Sequence, residues 1–104
     1  MELIATMLTI PFSDPDFTAP GLPEATLTGH SKNVRCVAVL ADGRFVTGSS
    51  DKMVKVWKES SPGSGVWSVE ATLTGHSSYV RCVAVLADGR LATGSADKTV
   101  KVWG

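Results

Sequence analysis

The stretch EATLTGHSKNVRCVAVLADGRFVTGSSDKMVKVW (residues 24–57) occurs a second time, with few changes, as EATLTGHSSYVRCVAVLADGRLATGSADKTVKVW (residues 70–103). The two copies are identical at 28 of 34 positions and begin 46 positions apart. A period of about 20–50 residues is typical of arrays in which each repeat is one supersecondary unit that packs on its neighbours. The sequence therefore predicts two similar units stacked side by side.

The opening half of each copy predicts a short strand, a buried strand and a tight turn. In the first copy, residues 24–28 are expected to form the short strand. The apolar run over residues 34–40 is interrupted only by Arg35 and therefore predicts a strand that is buried on both faces. Asp42 and Gly43 are expected to supply the positive φ angles of a hairpin turn.

The closing half of each copy predicts two more inner strands, and the segment between the copies predicts an outer one. The inner strands of the first copy are expected over residues 44–49 and 53–57. Residues 66–73 alternate strictly between apolar and polar side chains, which is typical of a half-exposed strand at the edge of a sheet. The chain is therefore predicted to be all-β.

Three spaced signals recur in both copies and resemble those of a known family. In the first copy they are the Gly29-His30 pair, the Ser49 and Asp51 that flank one residue, and Trp57. The second copy repeats them at Gly75, His76, Ser95, Asp97 and Trp103. This pattern resembles the WD-repeat β-propeller family.

The resemblance covers about residues 24–104 and implies two four-stranded antiparallel propeller blades. In the family the sequence repeat is offset from the blade, so that each repeat opens with the outer strand of the preceding blade. The expected divisions are an N-terminal extension (1–23), a first repeat (24–69) and a second repeat (70–104) that lacks an outer strand of its own. The family usually has Asp after the closing Trp, where this chain has Lys58 and Gly104, but the blade does not depend on that Asp.

Two blades are too few to close a propeller, which typically contains about four to eight. They would leave apolar sheet faces and a strand edge open to water, and a head-to-tail association that closes into a ring would cover them. The expected state is a homo-oligomer of about three or four chains, with about six or eight blades. The alternative is a fragment of a longer propeller, or an engineered repeat, with a purely structural role and no partner beyond itself.

Polar side chains at matching positions of both copies suggest either a catalytic set or a structural one. The candidates are His30, Thr47, Ser49, Asp51 and Trp57, with His76, Thr93, Ser95, Asp97 and Trp103. A hydrolase could use His30 or His76 to take a proton from a hydroxyl while Asp orients the ring. The resemblance implies instead a structural hydrogen-bonded tetrad in each blade, from Trp through a hydroxyl and His to Asp, with the threonines favoured over the serines. An enzyme needs one asymmetric site whereas every blade needs its own network, so no enzyme activity and no catalytic residue is expected.

No metal and no cofactor are expected. The two Cys and two His show neither a Cys-x-x-Cys motif nor close His spacing, and the Gly-Ser-Gly at 63–65 leads into a strand rather than a helix. Cys36 and Cys82 occupy equivalent positions and are expected to be small buried thiols, which favours an intracellular chain, cytoplasmic or nuclear. The formal net charge of zero argues against nucleic-acid and membrane partners, because their binders concentrate positive charge.

Binding is the function that remains. Propellers hold loops at the end of a rigid barrel, and such loops suit recognition. By resemblance, the loop after each Gly-His pair and the turn with the tetrad Asp form one face. Its candidates are Lys32, Asn33, Arg35, Ser50 and Lys52 from the first copy, with Ser78, Tyr79, Arg81, Ala96 and Lys98 from the second. The sequence predicts a protein-interaction scaffold for an acidic or phosphorylated protein or peptide, with Tyr79 and Arg81 as a hot-spot pair; ordinary variation of solvated loops is the alternative.

The N-terminal extension, residues 1–23, leaves two interpretations open. It has four prolines after residue 10 and therefore resembles an extended linker there, and it lacks the basic segment of a signal peptide. It is either a disordered leader or a segment that docks on an exposed face of the repeats. Docking would use Leu3, Ile4, Leu8, Ile10, Phe12 and Phe17.

Overall fold

Seven β-strands make up the regular structure of residues 23–104, the part of the chain that the computed structural model describes. They are β1 (Val34–Val39), β2 (Phe45–Ser49), β3 (Val54–Glu59), β4 (Trp67–Leu73), β5 (Val80–Val85), β6 (Leu91–Ser95) and β7 (Val100–Trp103). The first four form one antiparallel sheet in the order β1-β2-β3-β4, and the last three form a second, in the order β5-β6-β7. The prediction of an all-β chain with two blade-like antiparallel sheets is confirmed. The proposed docking of the N-terminal extension lies outside the described residues.

The hairpin between β1 and β2 uses one residue with positive φ rather than the two that the sequence predicted. Gly43 has a φ of 95°, whereas Asp42 is not among the residues with positive φ. The Asp42 carboxylate instead accepts a hydrogen bond from the Arg44 amide, at 3.1 Å. The backbone closes where the Leu40 N–H donates to the Arg44 carbonyl, at 2.8 Å. A single glycine is therefore enough for this turn.

The short strand predicted over residues 24–28 does not form, and this prediction is wrong. These residues have no strand structure, although the same sequence in the second copy, Glu70–Leu73, is part of β4 and pairs with β3. A strand needs a neighbouring strand to satisfy its backbone N–H and C=O groups. Within residues 23–104, β3 pairs with the second copy of this sequence and no strand pairs with residues 24–28. The first copy therefore stays irregular.

The core lies between the two sheets, where β1 and β2 of the first sheet pack against β5 of the second. The buried cluster consists of Leu40, Val46, Val54, Val56, Val80 and Leu91. Gly48 makes the close approach possible, because a Cβ atom at Gly48 would lie 2.6 Å from Val80 Cγ1 and 2.7 Å from Cys36 Sγ. The sheet-to-sheet contact is thus too tight for any other residue at Gly48 without movement.

The apolar strand β1 is exposed, contrary to the prediction that it is buried on both faces. Val34 is 56% exposed, and Val37 and Val39 are exposed as well. The equivalent residue of the second copy, Val80, is 0% exposed because the first sheet covers it. The apolar sequence of β1 is therefore typical of a strand with another sheet packed on both of its faces. Within the described residues, only one face of β1 is covered in this way.

The two thiols also differ from the prediction that both are buried. Cys36 is half-buried and Cys82 is exposed, and both are free. Cys36 lies beside Gly48 in the contact between the sheets, whereas no sheet within the described residues covers the corresponding side of the second blade. Burial raises the pKa of the Cys36 thiol, and this effect exceeds that of the Gly48 backbone hydrogen bond, which lowers it.

The outer strand β4 is half-exposed as predicted, but a register shift against Val56 and Trp57 interrupts its alternation. Val69, an apolar position of the predicted alternation, is 38% exposed. Trp67, Ala71 and Leu73 are partly buried, whereas Ser68, Glu70 and Thr72 are exposed. Trp67 packs on Phe45, with ring centroids 5.0 Å apart. This contact packs the outer strand β4 against the side chain of Phe45 on β2.

Candidate functional site

A chain of side-chain hydrogen bonds crosses the first sheet. The Trp57 Nε1–H donates to Thr47 Oγ1 at 2.8 Å, and Thr47 Oγ1 lies 2.7 Å from His30 Nε2. His30 Nδ1 lies 2.8 Å from Asp51 Oδ2. Because a carboxylate only accepts, these distances fit an imidazole that carries its proton on Nδ1 and accepts the Thr47 hydroxyl proton on Nε2. Each donor in the chain then has one acceptor.

The second blade contains the same chain with the same dimensions. The Trp103 Nε1–H donates to Thr93 Oγ1 at 2.9 Å, Thr93 lies 2.7 Å from His76 Nε2, and His76 Nδ1 lies 2.8 Å from Asp97 Oδ2. The serines that the sequence left as alternatives do not take part. Ser49 Oγ accepts from the Asp51 amide at 3.0 Å, and Ser95 Oγ does the same for the Asp97 amide.

The aspartate of each chain also holds two backbone segments together. Asp51 Oδ1 accepts from the Met53 amide at 2.9 Å, and Asp51 Oδ2 accepts from the Ser31 amide at 3.0 Å. Lys52 lies in the turn between Asp51 and Met53 and has a φ of 77°. This conformation is uncommon for a residue other than glycine. The carboxylate thus ties this turn to the segment that follows the Gly29-His30 pair.

These contacts lower the pKa of both aspartates. For Asp51, burial is the largest single effect and raises the pKa, but the hydrogen bonds from Met53, His30 and Ser31 together outweigh it. For Asp97, the hydrogen bond from the Thr99 hydroxyl is the largest effect and lowers the pKa well below the usual range. Position 53, the counterpart of Thr99, is Met and supplies no hydroxyl.

The residue at positions 53 and 99 is expected to determine which of the two aspartates, Asp51 or Asp97, has the lower pKa. Thr99→Met should raise the pKa of Asp97, and Met53→Thr should lower that of Asp51. The stability that each carboxylate contributes is present above the unfolded pKa of about 3.9 and is lost as the pH falls through the folded pKa. The first blade should therefore weaken at a higher pH than the second, and Thr99→Met should remove that difference. Carboxyl ¹³C NMR titration of the two variants measures both values; unchanged values would contradict the assignment to Thr99.

The ionisable side chains of both tetrads are shielded from solvent. The side chains of His30 and Asp51 are almost completely buried, as are those of His76 and Asp97. Each threonine hydroxyl, the group that a hydrolase of this kind would activate, is bonded on both sides. Within the described part of the chain, every buried side-chain nitrogen and oxygen has a hydrogen-bond partner.

The loop face brings together three side chains from the two blades. The guanidinium carbon of Arg35 lies 4.6 Å from the centroid of the Tyr79 ring, and that of Arg81 lies 5.3 Å from the same centroid. Arg35 Nε also donates to Ser50 Oγ at 2.6 Å. We call Arg35, Tyr79 and Arg81 the Arg-Tyr-Arg cluster. Of the other candidates predicted for the loop face, Lys32, Asn33, Lys52 and Lys98 are exposed and Ser78 is half-exposed. The sequence paired Tyr79 with Arg81 and gave no sign that Arg35 is nearer.

Arg44 and Arg90 form ion pairs with carboxylates, whereas Arg35 and Arg81 form none within residues 23–104. Arg44 binds Asp42 and Glu70, and Arg90 binds Asp88, each at 2.8–2.9 Å. Among residues 23–104, no carboxylate forms such an ion pair with Arg35 or Arg81. The same residues hold no group of three or more His, Cys, Asp or Glu side chains that could bind a metal. They also include no helix of the length and apolarity needed to span a bilayer.

Comparisons with known proteins agree with the geometry of the blades. A family model described as "WD domain, G-beta repeat" matches residues 21–58 and 64–104. The chain is 52% identical over 40 residues to the Pre-mRNA-processing factor 19 of Oryza sativa subsp. japonica, a match that covers 38% of this chain and 8% of that protein. The solved WD40 β-propeller domain of Doa1 superposes with a TM-score of 0.63 and 26% identity, over 73% of this chain and 24% of that one.

Two antiparallel sheets that pack side by side, each crossed by a Trp-Thr-His-Asp chain of hydrogen bonds, define a pair of propeller blades. The chain belongs to the WD40 family, whose model matches both repeats. The resemblance stated from the sequence is thereby confirmed. Members of this family are typically non-enzymatic scaffolds that mediate protein–protein interactions. The chain spans less than a tenth of the rice protein and about a quarter of the solved propeller.

Proposed function

We propose that the chain is a protein-interaction scaffold whose loop face binds an acidic or phosphorylated segment of a protein partner. The observation that carries the proposal is the Arg-Tyr-Arg cluster, in which the two blades jointly present two guanidinium groups on one aromatic ring. Guanidinium groups suit carboxylate and phosphate because they donate paired hydrogen bonds in one plane. Tyr79 supports their position by cation–π attraction.

The charge around the cluster has the same sign. Lys32, Lys52 and Lys98 lie in the neighbouring loops and are exposed, and each long side chain can add a positive charge to the approach path of an anionic partner. Aromatic and Arg side chains contribute most to binding energy when a partner covers them. The loop face thus combines a cluster of contacting Arg and Tyr side chains with exposed lysines in the same loops.

The tetrads are proposed to stabilise the blades and not to catalyse a reaction. Their support is the burial of all four imidazole and carboxylate groups, the repetition of one geometry in both blades, and the commitment of each hydroxyl to two hydrogen bonds. A hydrolase that used His30 or His76 would need substrate access to these groups. The proposal therefore includes no cofactor and no catalytic residue.

Removing the charge of Arg81 is expected to weaken binding far more than removing that of Arg90. Arg81→Gln should lower the affinity for an anionic peptide by about 10- to 100-fold, which is the equivalent of losing one charge-assisted hydrogen bond. Arg90→Gln removes the same charge from an exposed arginine that already binds Asp88, and it should change the affinity by less than about 2-fold. The measurement is fluorescence anisotropy with a labelled library of acidic peptides, half of them centred on phosphoserine.

The outcomes separate the alternatives. An equal loss in both variants would mean that net charge alone attracts the peptides, which would contradict a site at the Arg-Tyr-Arg cluster. Failure of all peptides to bind the parent chain would favour a purely structural role with no partner beyond the chain itself. A preference for phosphoserine peptides, lost in Arg81→Gln, would identify phosphate as the recognised group.

A closed ring of about three or four copies is the form in which two blades would present this face. It is supported by the apolar faces that the two sheets leave uncovered on their outer sides. The site at the Arg-Tyr-Arg cluster is formed within one chain, so that every copy in a ring would carry one.

We also propose an intracellular location, in the cytoplasm or the nucleus. The support is chemical, because two free thiols persist more readily in a reducing compartment than outside the cell. The name of the rice relative assigns that protein to pre-mRNA processing, which agrees with this proposal.

A further inference from the structure

We infer that the chain binds a second copy of itself head to tail, and that the contact between copies repeats the contact between the two blades inside one copy. The inference rests on the proposed function, since it describes how the scaffold is completed. It assigns three apolar side chains to one outer face and four matching groups to the other.

The contact inside the chain provides the pattern. One half consists of groups of the first blade, with Val54 and Val56 in the buried cluster and Cys36 and Gly48 beside it. The other half consists of groups of the second blade, with Val80 buried against Gly48 and with Val83 and Val85 packed on the same cluster. Each half is a set of positions that the repeat supplies twice.

The outer face of the first blade presents the same repeat positions that the second blade uses in the contact between the blades. Nothing in the described chain covers this outer face. Val34, Val37 and Val39 occupy the repeat positions of Val80, Val83 and Val85. Val34 is 56% exposed and its counterpart is fully buried. A groove beside Val34, open to solvent and lined also by Phe45 and Trp57, marks the same face.

The outer face of the second blade presents the same repeat positions that the first blade uses in that contact. Val100 and Val102 occupy the repeat positions of Val54 and Val56. Val100 is 73% exposed, whereas Val54 is fully buried. Cys82 is exposed where Cys36 is half-buried, and Gly94 stands where Gly48 admits Val80. The two outer faces of one chain are thus the two halves of a contact that the chain already makes.

The few differences between the copies at this contact compensate each other in volume. Inside the chain, Val46 of the first blade and Leu91 of the second belong to one buried cluster. The contact between copies would bring Ala92 opposite Phe45, a smaller and a larger residue at the same two repeat positions. Exchanges that conserve total volume are those that a packed core tolerates best. This compensation favours a second copy over an unrelated partner.

The same arrangement would pair the segment 25–27 with the free edge of β7. Inside the chain, Leu73, Thr72 and Ala71 lie opposite Val54, Lys55 and Val56. Shifted by one repeat, this register places Leu27, Thr26 and Ala25 of one copy opposite Val100, Lys101 and Val102 of the next. The segment that fails to form a strand alone would then gain a partner, and β7 would lose an unpaired edge.

Size-exclusion chromatography with light scattering tests the inference over a range of protein concentrations. The parent chain should form a discrete species of about three or four copies. Val34→Asp should yield a folded monomer, because it places a carboxylate in the apolar contact. Val66→Asp is the matched control, since Val66 is 60% exposed but lies in the loop before β4, and it should keep the mass of the parent. A parent chain that is monomeric at all concentrations would overturn the inference.

A mixture of two variants distinguishes a head-to-tail contact from a symmetric one. Val34→Asp damages one face and Val100→Asp damages the other, so each variant alone should be monomeric. Mixed together they should form a dimer with one intact contact and nothing larger. Self-association of either variant alone would show a symmetric contact and would contradict head-to-tail docking. Circular dichroism verifies that both variants keep their strands.

The thiols give a second readout that does not depend on mass. Cys82 should react with iodoacetamide faster than Cys36 in the monomeric Val34→Asp variant, and in the parent assembly it should be protected to the same degree as Cys36. Equal exposure of Cys82 in both samples would contradict its burial between copies. Because these experiments use no peptide, failure of assembly and failure of peptide binding are separate results.

Discussion

Val80→Asp is expected to cost about 3–5 kcal/mol of unfolding free energy, which is the range observed when a buried charge is left without a partner. Val80 is completely buried, and its side chain lies directly against Gly48. A carboxylate there would be buried among the apolar side chains of the core cluster. Since small domains have a total stability of about 5–15 kcal/mol, this loss should separate the blades or unfold the chain. Urea denaturation followed by tryptophan fluorescence measures it.

The repeat provides the control for this prediction. Val34→Asp makes the same change at the equivalent position, where the side chain is exposed in one chain. At a dilution at which the parent chain is monomeric, it should alter the unfolding free energy by no more than about 0.5 kcal/mol. Comparable losses in the two variants would contradict the unequal burial of the two valines. The loss in Val80→Asp should also diminish at low pH, because the protonated carboxyl is less costly to bury.

Thr47→Val is expected to have the second largest effect, about 1–3 kcal/mol for each buried polar group that it leaves without a partner. The substitution keeps the shape of the side chain and removes the hydroxyl. The Trp57 N–H then has no acceptor and His30 Nε2 has no donor. Thermal unfolding by circular dichroism should show a clearly lower midpoint, and Thr93→Val should have a similar effect in the second blade.

Thr72→Val is the matched control for the tetrad. Thr72 lies on the outer strand, is exposed, and accepts a hydrogen bond of 3.2 Å from Lys55 Nζ. Its replacement should change the midpoint little, because water can replace a partner at an exposed site. An unchanged midpoint in Thr47→Val would contradict the structural role of the tetrad and would revive a catalytic interpretation of His30.

The strands were predictable from the sequence because each one is set by local signals. Alternation over residues 66–73, the glycine at position 43 and the repeated Lys-Val-Trp endings are properties of short segments. The two hydrogen-bond chains were expected only through the family resemblance. Thr47 and Ser49 lie on the same face of β2, and the choice between them depends on the register that puts Phe45 opposite Trp57.

Burial was not predictable to the same extent, because it depends on what lies beside a strand and not on the strand itself. Val34 and Val80 have the same neighbours in sequence, yet one is exposed and the other is buried. The same reason explains why Cys82 is exposed and why residues 24–28 are irregular. The approach of Arg35 to Tyr79 depends on the angle between the two blades, which no local pattern encodes.

The register between β3 and β4 has a consequence for how the chain avoids misfolding. The segments 24–31 and 70–77 are identical in sequence, so during folding both could compete for the single edge of β3. Val69 lies opposite Trp57 in the native pairing, whereas the equivalent position of the competing segment is Pro23. Proline has no N–H to donate and is poorly tolerated within a sheet. Pro23 thus limits this segment to the short pairing of residues 25–27 on any strand edge, whether that of β3 or that of β7 in another copy. The longer strand β4 is therefore favoured at β3.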